Sequence, residues 1–170
     1  KQETDFLRGY AAGFSSSRRT ISDYSGIGDE LEKSMAKAPE YGPWRMGSHM
    51  MGETIPKEES QVSLDSELKD EWGIPQLKIA MDYDDNDEAM IKDYLEQMSE
   101  MFEAAGFTNI RTRDDKRAPG LDIHEMGGAR MGKDPKTSVL NEWNQVHACP
   151  NVYVTDGSCM TSTSTQNPSL

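Results

Sequence analysis

His124-Glu-Met-Gly-Gly-Ala-Arg-Met-Gly132 is the first of three short segments that follow one another towards the end of this 170-residue chain. The second is Asn151-Val-Tyr-Val-Thr-Asp-Gly-Ser158 and the third is Gln166-Asn-Pro-Ser-Leu170. We call them the histidine segment, the Asp-Gly segment and the terminal segment. Each is a weak signal alone, and their fixed order is what indicates a fold and a chemistry.

The histidine segment offers a candidate general base. An imidazole exchanges its proton near neutral pH, so His124 suits the removal of a hydroxyl proton. Gly127, Gly128 and Gly132 allow the backbone to approach a flat or bulky ligand. A lone histidine beside a glycine loop is more often a surface or hydrogen-bonded residue, so the function depends on the other two segments.

The Asp-Gly segment predicts a short apolar strand, 152–154, that runs directly into Asp156 and Gly157. In dinucleotide-binding folds, ligands lie at the carboxyl ends of strands, where a carboxylate or a backbone N–H reaches ribityl and phosphate groups. The same dipeptide also marks ordinary turns.

The terminal segment places a defined amide next to a proline. Pro168 biases Asn167 towards an extended backbone, and an Asn side chain both donates and accepts hydrogen bonds at one substrate oxygen. Taken alone, Asn-Pro indicates only a turn.

Together the segments resemble the C-terminal signature of the glucose–methanol–choline (GMC) family of flavin oxidoreductases. That signature is close to His-x-x-Gly-[small]-x-x-Met-Gly, Asn-[apolar]-Tyr-Val-x-Asp-[Gly/Ala]-Ser and Asn-Pro-[Ser/Thr]-Leu. The likeness is dense over 123–170, is weaker upstream, and is greatest to the sugar-oxidising branch with the gluconate 2-dehydrogenase flavoprotein, glucoside 3-dehydrogenase and pyranose oxidase. The matching residues are His124, Gly127, Gly128, Met131, Gly132, Asn151, Tyr153, Val154, Asp156, Gly157, Ser158, Asn167, Pro168 and Leu170.

The resemblance implies a role for each candidate residue. His124 is the expected base that takes a proton from a sugar or polyol hydroxyl while hydride passes to the flavin of FAD, and Asn167 is its partner on the same oxygen. Asp156 and Gly157 are expected to contact the FAD pyrophosphate and ribityl chain. Asn167 and Pro168 are expected beside the isoalloxazine. No metal is implied.

The resemblance also implies that the chain is part of a larger enzyme. The sequence has no Gly-x-Gly-x-x-Gly fingerprint, the usual phosphate cradle of FAD. We therefore expect a substrate-binding (cap) domain over 1–122, a catalytic and flavin-contacting segment over 123–170, and a Rossmann domain absent from the chain. Alone, the chain is expected to bind FAD weakly or not at all and to be inactive. Its expected partners are the remainder of its FAD domain and an electron-acceptor protein.

The composition excludes some functions. A net charge of −12 argues against nucleic acid and anionic membrane surfaces as partners. No apolar run approaches the roughly 20 residues of a membrane span, so no membrane insertion is expected. Cys149 and Cys159 leave a single disulfide possible, and they leave both a periplasmic and a cytoplasmic location open.

The pattern of apolar residues predicts an α+β fold, a mostly antiparallel sheet with one long amphipathic helix packed on it, plus C-terminal segments that would complete an FAD-binding domain. The helix is expected over 87–105, capped by Asp85 or Asn86 and ended at Gly106. Alternation over 77–81 predicts a half-buried strand, and 107–113 reads as another.

Three alternative uses of the remaining residues stay open. One is a non-catalytic carbohydrate-binding or interaction module, in which tryptophans and several tyrosines stack on sugars instead of packing in the core or at its rim. The second is a metal site, although its spacing matches no structural zinc pattern. The third is a copper site formed by a histidine and neighbouring methionines, whose thioethers are soft ligands. Methionines in such a cluster more often fill gaps in a core. The residues concerned are Trp44, Trp72 and Trp143 for sugars, His147, Cys149, Cys159 and Asp156 for a metal, and Met46, His49, Met50 and Met51 for copper.

Overall fold

The computed structural model describes residues 3–21, 24–37, 40–121 and 123–164. These residues form a small mixed α/β structure with three two-stranded sheets and two α-helices. The chain divides into two compact units, Ala12–Met50 and a second unit made of Lys1–Ala11 with Met51–Leu170. The elements are β1 (Tyr10–Ile21), α1 (Asp29–Met35), β2 (Glu40–Gly52), β3 (Gln61–Lys69), β4 (Pro75–Ala80), α2 (Asp85–Ala104), β5 (Gln145–Val146), β6 (Cys149–Tyr153) and a 3-10 turn at Gly157–Cys159.

The unit Ala12–Met50 is centred on the pairing of β1 with β2. A Cβ at Gly13 would collide with the imidazole of His49, so the missing side chain makes room for that ring. Arg18 donates through Nε to the carbonyl of Gly42 at 2.8 Å. Met46 is exposed on β2, so it does not fill a core as methionines in such clusters usually do.

The β3–β4 hairpin is antiparallel, and its apolar face is exposed. Val62 pairs with Ile79 and Leu64 with Leu77, which places all four side chains on one face. Leu64 is 67% exposed and Leu77 62%. The prediction of a half-buried strand was therefore correct for the strand and wrong for its burial, because no second layer of the described residues covers this face.

The helix α2 begins at Asp85, two residues before the predicted start at 87, so neither cap proposed from the sequence, Asp85 or Asn86, is the N-cap. Its N-cap is Asp84, whose carboxylate accepts hydrogen bonds from the backbone N–H of Asn86 and Asp87. The Asp87 carboxylate accepts in return from the N–H of Asp84 at 3.1 Å, which closes a capping box. Lys57 adds an ion pair with Asp84 at 3.1 Å. The helix ends before Gly106, which has a φ of +82° as expected for a left-handed cap.

The buried side of α2 contacts the N-terminal segment of its own unit. Met90 and Tyr94 are buried, and the Tyr94 ring meets the Tyr10 ring edge-on at 5.6 Å between centroids. The Tyr10 hydroxyl donates to the Asp93 carboxylate at 2.6 Å. Met101, near the other end of the predicted apolar stripe, is exposed, so the stripe is buried only in part.

The strand expected over 107–113 is absent, and this prediction was wrong. The N–H of Phe107 instead donates to the carbonyl of Phe102 at 3.0 Å, closing the end of α2. The two rings pack edge-on at 5.4 Å between centroids. Asn109 then takes a left-handed φ of +59°, which interrupts an extended backbone.

Candidate active site

The histidine segment lies along the turn that follows the Asp-Gly strand. Ala129 donates its backbone N–H to the carbonyl of Ser158 at 3.0 Å, and Met131 donates to the carbonyl of Cys159 at 3.0 Å. The strand predicted over 152–154 belongs to β6, which pairs with β5. Two of the three sequence segments therefore meet in space, although more than 20 residues separate their first residues.

Glycines stand where the two segments come closest. A Cβ on Gly157 would be 3.6 Å from the carbonyl oxygen of Glu125, and a Cβ on Gly127 would be 3.6 Å from that of Met160. Gly127 also has a φ of +83°, a conformation that L side chains rarely adopt. At both positions an added Cβ would make an ordinary van der Waals contact, so of these two glycines only Gly127 is favoured, and by its backbone conformation.

His124, at the start of the histidine segment, has an uncommon backbone conformation and a buried ring nitrogen without a hydrogen bond. Its φ is +70°, in the left-handed region that costs a residue with a Cβ about 1–3 kcal/mol. Its Nε2 atom is buried and forms no hydrogen bond within the described residues. Buried polar atoms are nearly always paired, so this nitrogen is suited to bind or exchange a proton with a group from outside these residues.

Asp156 organises the turn on the other side of the contact. Its carboxylate accepts hydrogen bonds from the hydroxyl and the backbone N–H of Ser158, the latter at 2.9 Å. The Ser158 hydroxyl, followed by that N–H, lowers the pKa of Asp156 and keeps it ionised. The described contacts of this carboxylate hold its own 3-10 turn, so its predicted contact with FAD stays a prediction.

A second histidine, which the sequence suggested only as a metal ligand, supports the end of the histidine segment. The Nε2 atom of His147 lies 3.2 Å from the carbonyl oxygen of Gly132 and 3.1 Å from the hydroxyl oxygen of Ser138. The fully buried Leu140 accepts through its carbonyl from the N–H of Gly132 at 2.8 Å. Neither contact could be inferred from the sequence, because Gly132 and Ser138 lie 15 and 9 residues before His147.

The other predicted ligands do not assemble into a metal site. Within the described ranges, no three or more His, Cys, Asp or Glu side chains are grouped so that they could hold a metal ion. Cys149 and Cys159 are both free thiols, which decides the disulfide question left open by the sequence. The terminal segment, with Asn167 and Pro168, lies outside the described residues.

No helix in the described part of the chain is both long enough and apolar enough to cross a membrane.

Comparison with known proteins decides the family. The family model for the C-terminal domain of the GMC oxidoreductases matches residues 56–170 of this chain. This chain belongs to the GMC oxidoreductase family. The match contains the histidine, Asp-Gly and terminal segments, so the resemblance drawn from those residues is confirmed.

Three relatives illustrate the range of this GMC match. The 2-methyl-1,2-propanediol dehydrogenase of Mycolicibacterium austroafricanum is 35% identical over 72% of this chain and 23% of its own length. The paromamine 6'-oxidase of Streptomyces fradiae is 35% identical over 68% of this chain and 21% of its own length. The gluconate 2-dehydrogenase flavoprotein of Pantoea cypripedii is 32% identical over 63% of this chain and 18% of its own length. The chain thus spans about a fifth of the length of these GMC relatives.

Proposed function

We propose that this chain supplies the substrate side of an FAD-dependent GMC enzyme that oxidises a CH–OH group of a sugar or polyol. The similar GMC proteins are named as two dehydrogenases and an oxidase. The compounds in the names of the two dehydrogenases, a propanediol and gluconate, both carry hydroxyl groups. The observation that carries the proposal is the buried, unpaired Nε2 of His124.

His124 is the residue of this chain that fits the reaction. Its Nε2 is shielded from water and has no competing partner within the described residues, so a substrate hydroxyl can donate to it and transfer its proton there. Asn167 is proposed as the second group on that oxygen, which would orient the C–H bond for transfer. FAD, when bound, supplies the hydride acceptor.

Holding FAD is proposed to be shared between this chain and the rest of the enzyme. Asp156, Gly157, Asn167 and Pro168 are the residues that would contact it from this side. The unpaired nitrogen of His124 fits a ligand placed against the histidine segment. We propose 1–122 as the substrate-binding (cap) part and 123–170 as the catalytic and flavin-contacting part.

The exposed apolar face of the β3–β4 hairpin fits a larger assembly. A two-stranded hairpin is only marginally stable in water unless another layer packs on it. We propose that the remainder of the FAD domain covers Val62, Leu64, Leu77 and Ile79, and that the exposed side of α2 packs in the same assembly. An electron-acceptor protein is a further proposed partner, which would take the electrons of the reduced flavin in a dehydrogenase.

Substitution of His124 tests the proposed reaction. In the flavin-loaded protein, His124→Ala is expected to slow flavin reduction by a sugar or polyol about 10²–10⁴-fold, the usual contribution of a general base. His49→Ala is the matched control, because His49 fills the space above Gly13 in the other unit. Unchanged flavin reduction in His124→Ala would refute the assignment. The 170-residue chain with added FAD is expected to remain colourless and inactive.

One observation favours a second candidate, the carbohydrate-binding module. Tyr41 is 58% exposed and Trp44 64%, and the Arg18 guanidinium lies 5.1 Å from the Tyr41 ring centre and 6.0 Å from that of Trp44. Exposed aromatic rings held by a cation can stack on sugar rings. Sugar binding that is lost in Trp44→Ala and unaffected in His124→Ala would favour this module.

A further inference from the structure

We infer that His147 is a positioning residue for the histidine segment, acting through a hydrogen bond from its Nε2–H to the carbonyl of Gly132. This inference rests on the proposed function of His124, which begins the segment that Gly132 ends. It concerns a different residue, which does not touch the reacting atoms.

The neighbours of His147 fix which of its ring nitrogens carries the proton. The carbonyl oxygen of Gly132, 3.2 Å from Nε2, can only accept a hydrogen bond. The Ser138 hydroxyl already donates to the carbonyl of Asp134 at 2.7 Å, so it accepts from Nε2 across the 3.1 Å contact. Both contacts therefore require a proton on Nε2. An unprotonated Nε2 would be repelled by the lone pairs of the two oxygens.

The backbone around His147 makes this contact part of one connected structure. The N–H of His147 donates to the carbonyl of Val139 at 3.0 Å, and the N–H of Val139 donates to the carbonyl of Arg130 at 3.1 Å. The histidine segment is thus held at Gly132 by the side chain of His147 and at Arg130 by a backbone hydrogen bond from Val139. Because Met131 also donates to Cys159 at 3.0 Å, the same residues join the histidine segment to the turn after Asp156.

The position of the donor predicts which substitution preserves the function. A glutamine at 147 can place its amide N–H near the place of Nε2, whereas a leucine of similar volume offers no donor.

The experiment compares His147→Leu and His147→Gln in the flavin-loaded protein that contains this chain. His147→Leu is expected to lower kcat for sugar or polyol oxidation at least about tenfold, because a small displacement of a reacting group is costly. KM is expected to change less than about threefold. His147→Gln is expected to restore most of kcat, with an unchanged pH profile of kcat/KM. Equal losses in both variants, or a pH profile that loses its acid limb in His147→Gln, would overturn the inference.

A second measurement separates this inference from the proposed reaction. Hydrogen exchange of the peptide that contains Met131 and Gly132 is expected to accelerate about tenfold or more in His147→Leu and to stay near wild type in His147→Gln. If no alcohol is oxidised but exchange follows this pattern, the proposed function fails and the contact stands. If exchange is the same in all three proteins, the positioning role is refuted.

Discussion

Replacing Gly132 with alanine tests how closely the histidine segment packs on the loop behind it. The added Cβ would lie 2.6 Å from the Cβ of Ser138 and 2.8 Å from its hydroxyl oxygen. Ser138 cannot turn away freely, because its hydroxyl donates to Asp134 and contacts the ring of His147. The substitution therefore has to displace a backbone or break these hydrogen bonds.

The structure sets the size of the effect. Forcing an extra carbon into a filled space costs about 1–3 kcal/mol, and one broken hydrogen bond adds about 0.5–1.5 kcal/mol. Gly132→Ala should therefore lower the free energy of unfolding by about 2–4 kcal/mol. Urea denaturation followed by tryptophan fluorescence should show a midpoint lower by about 1–2 M at a slope near 2 kcal/mol/M.

Two controls make this prediction specific to the contact. Gly128→Ala places its Cβ no nearer than 4.0 Å to Ser158, so its cost should stay within about 0.5 kcal/mol. Adding Ser138→Gly to Gly132→Ala removes the colliding carbon and should recover about 1 kcal/mol or more as a coupling energy. The reasoning fails if Gly132→Ala is as stable as Gly128→Ala, or if the double variant shows no coupling.

Two further substitutions test contacts around α2. Burial and the hydrogen bond to Asp93 raise the pKa of Tyr10 to about 12, so stability that depends on its proton should be lost as the pH rises from about 10, the unfolded value, towards 12. Tyr10→Phe should cost about 1 kcal/mol at neutral pH and lack this alkaline loss in urea titrations, and an unchanged alkaline slope would contradict the assignment. The hydrogen bond from Lys57, with the backbone bonds of the cap, lowers the pKa of Asp84, so its contribution is present above about pH 4 and lost as the pH falls through the lower folded value. Asp84→Ala should lower the melting temperature at pH 7 and should differ less from wild type in acid; an equal difference at both pH values would exclude this cause.

The local elements could be predicted where the sequence contains its own start and stop signals. Gly106 marks the end of α2, and the alternation over 77–81 marks β4. The cap of α2 was misplaced because several neighbouring residues are chemically able to cap, and only backbone geometry selects Asp84. The strand over 107–113 failed because Phe107 completes the helix end, an interaction that residue propensities do not contain.

The candidate site was predictable in its residue types and unpredictable in its contacts. His124 and Asp156 stood out because imidazole and carboxylate groups beside glycines are suited to proton transfer and ligand binding. His147 appeared only as a possible metal ligand, because nothing adjacent in the sequence shows that its ring meets Gly132 and Ser138.

The sequence by itself determined the GMC family and the order of the residues that carry its signature, because those depend on residue identity and spacing along the chain. Only the tertiary structure decided that the histidine segment lies on the Asp156 turn, that Nε2 of His124 is buried and unpaired, and that the face of the β3–β4 hairpin is exposed. Burial and hydrogen-bond partners are set by residues distant in the chain, whereas local patterns describe only near neighbours. For this reason the chemistry could be anticipated from the sequence, and its geometry required the fold.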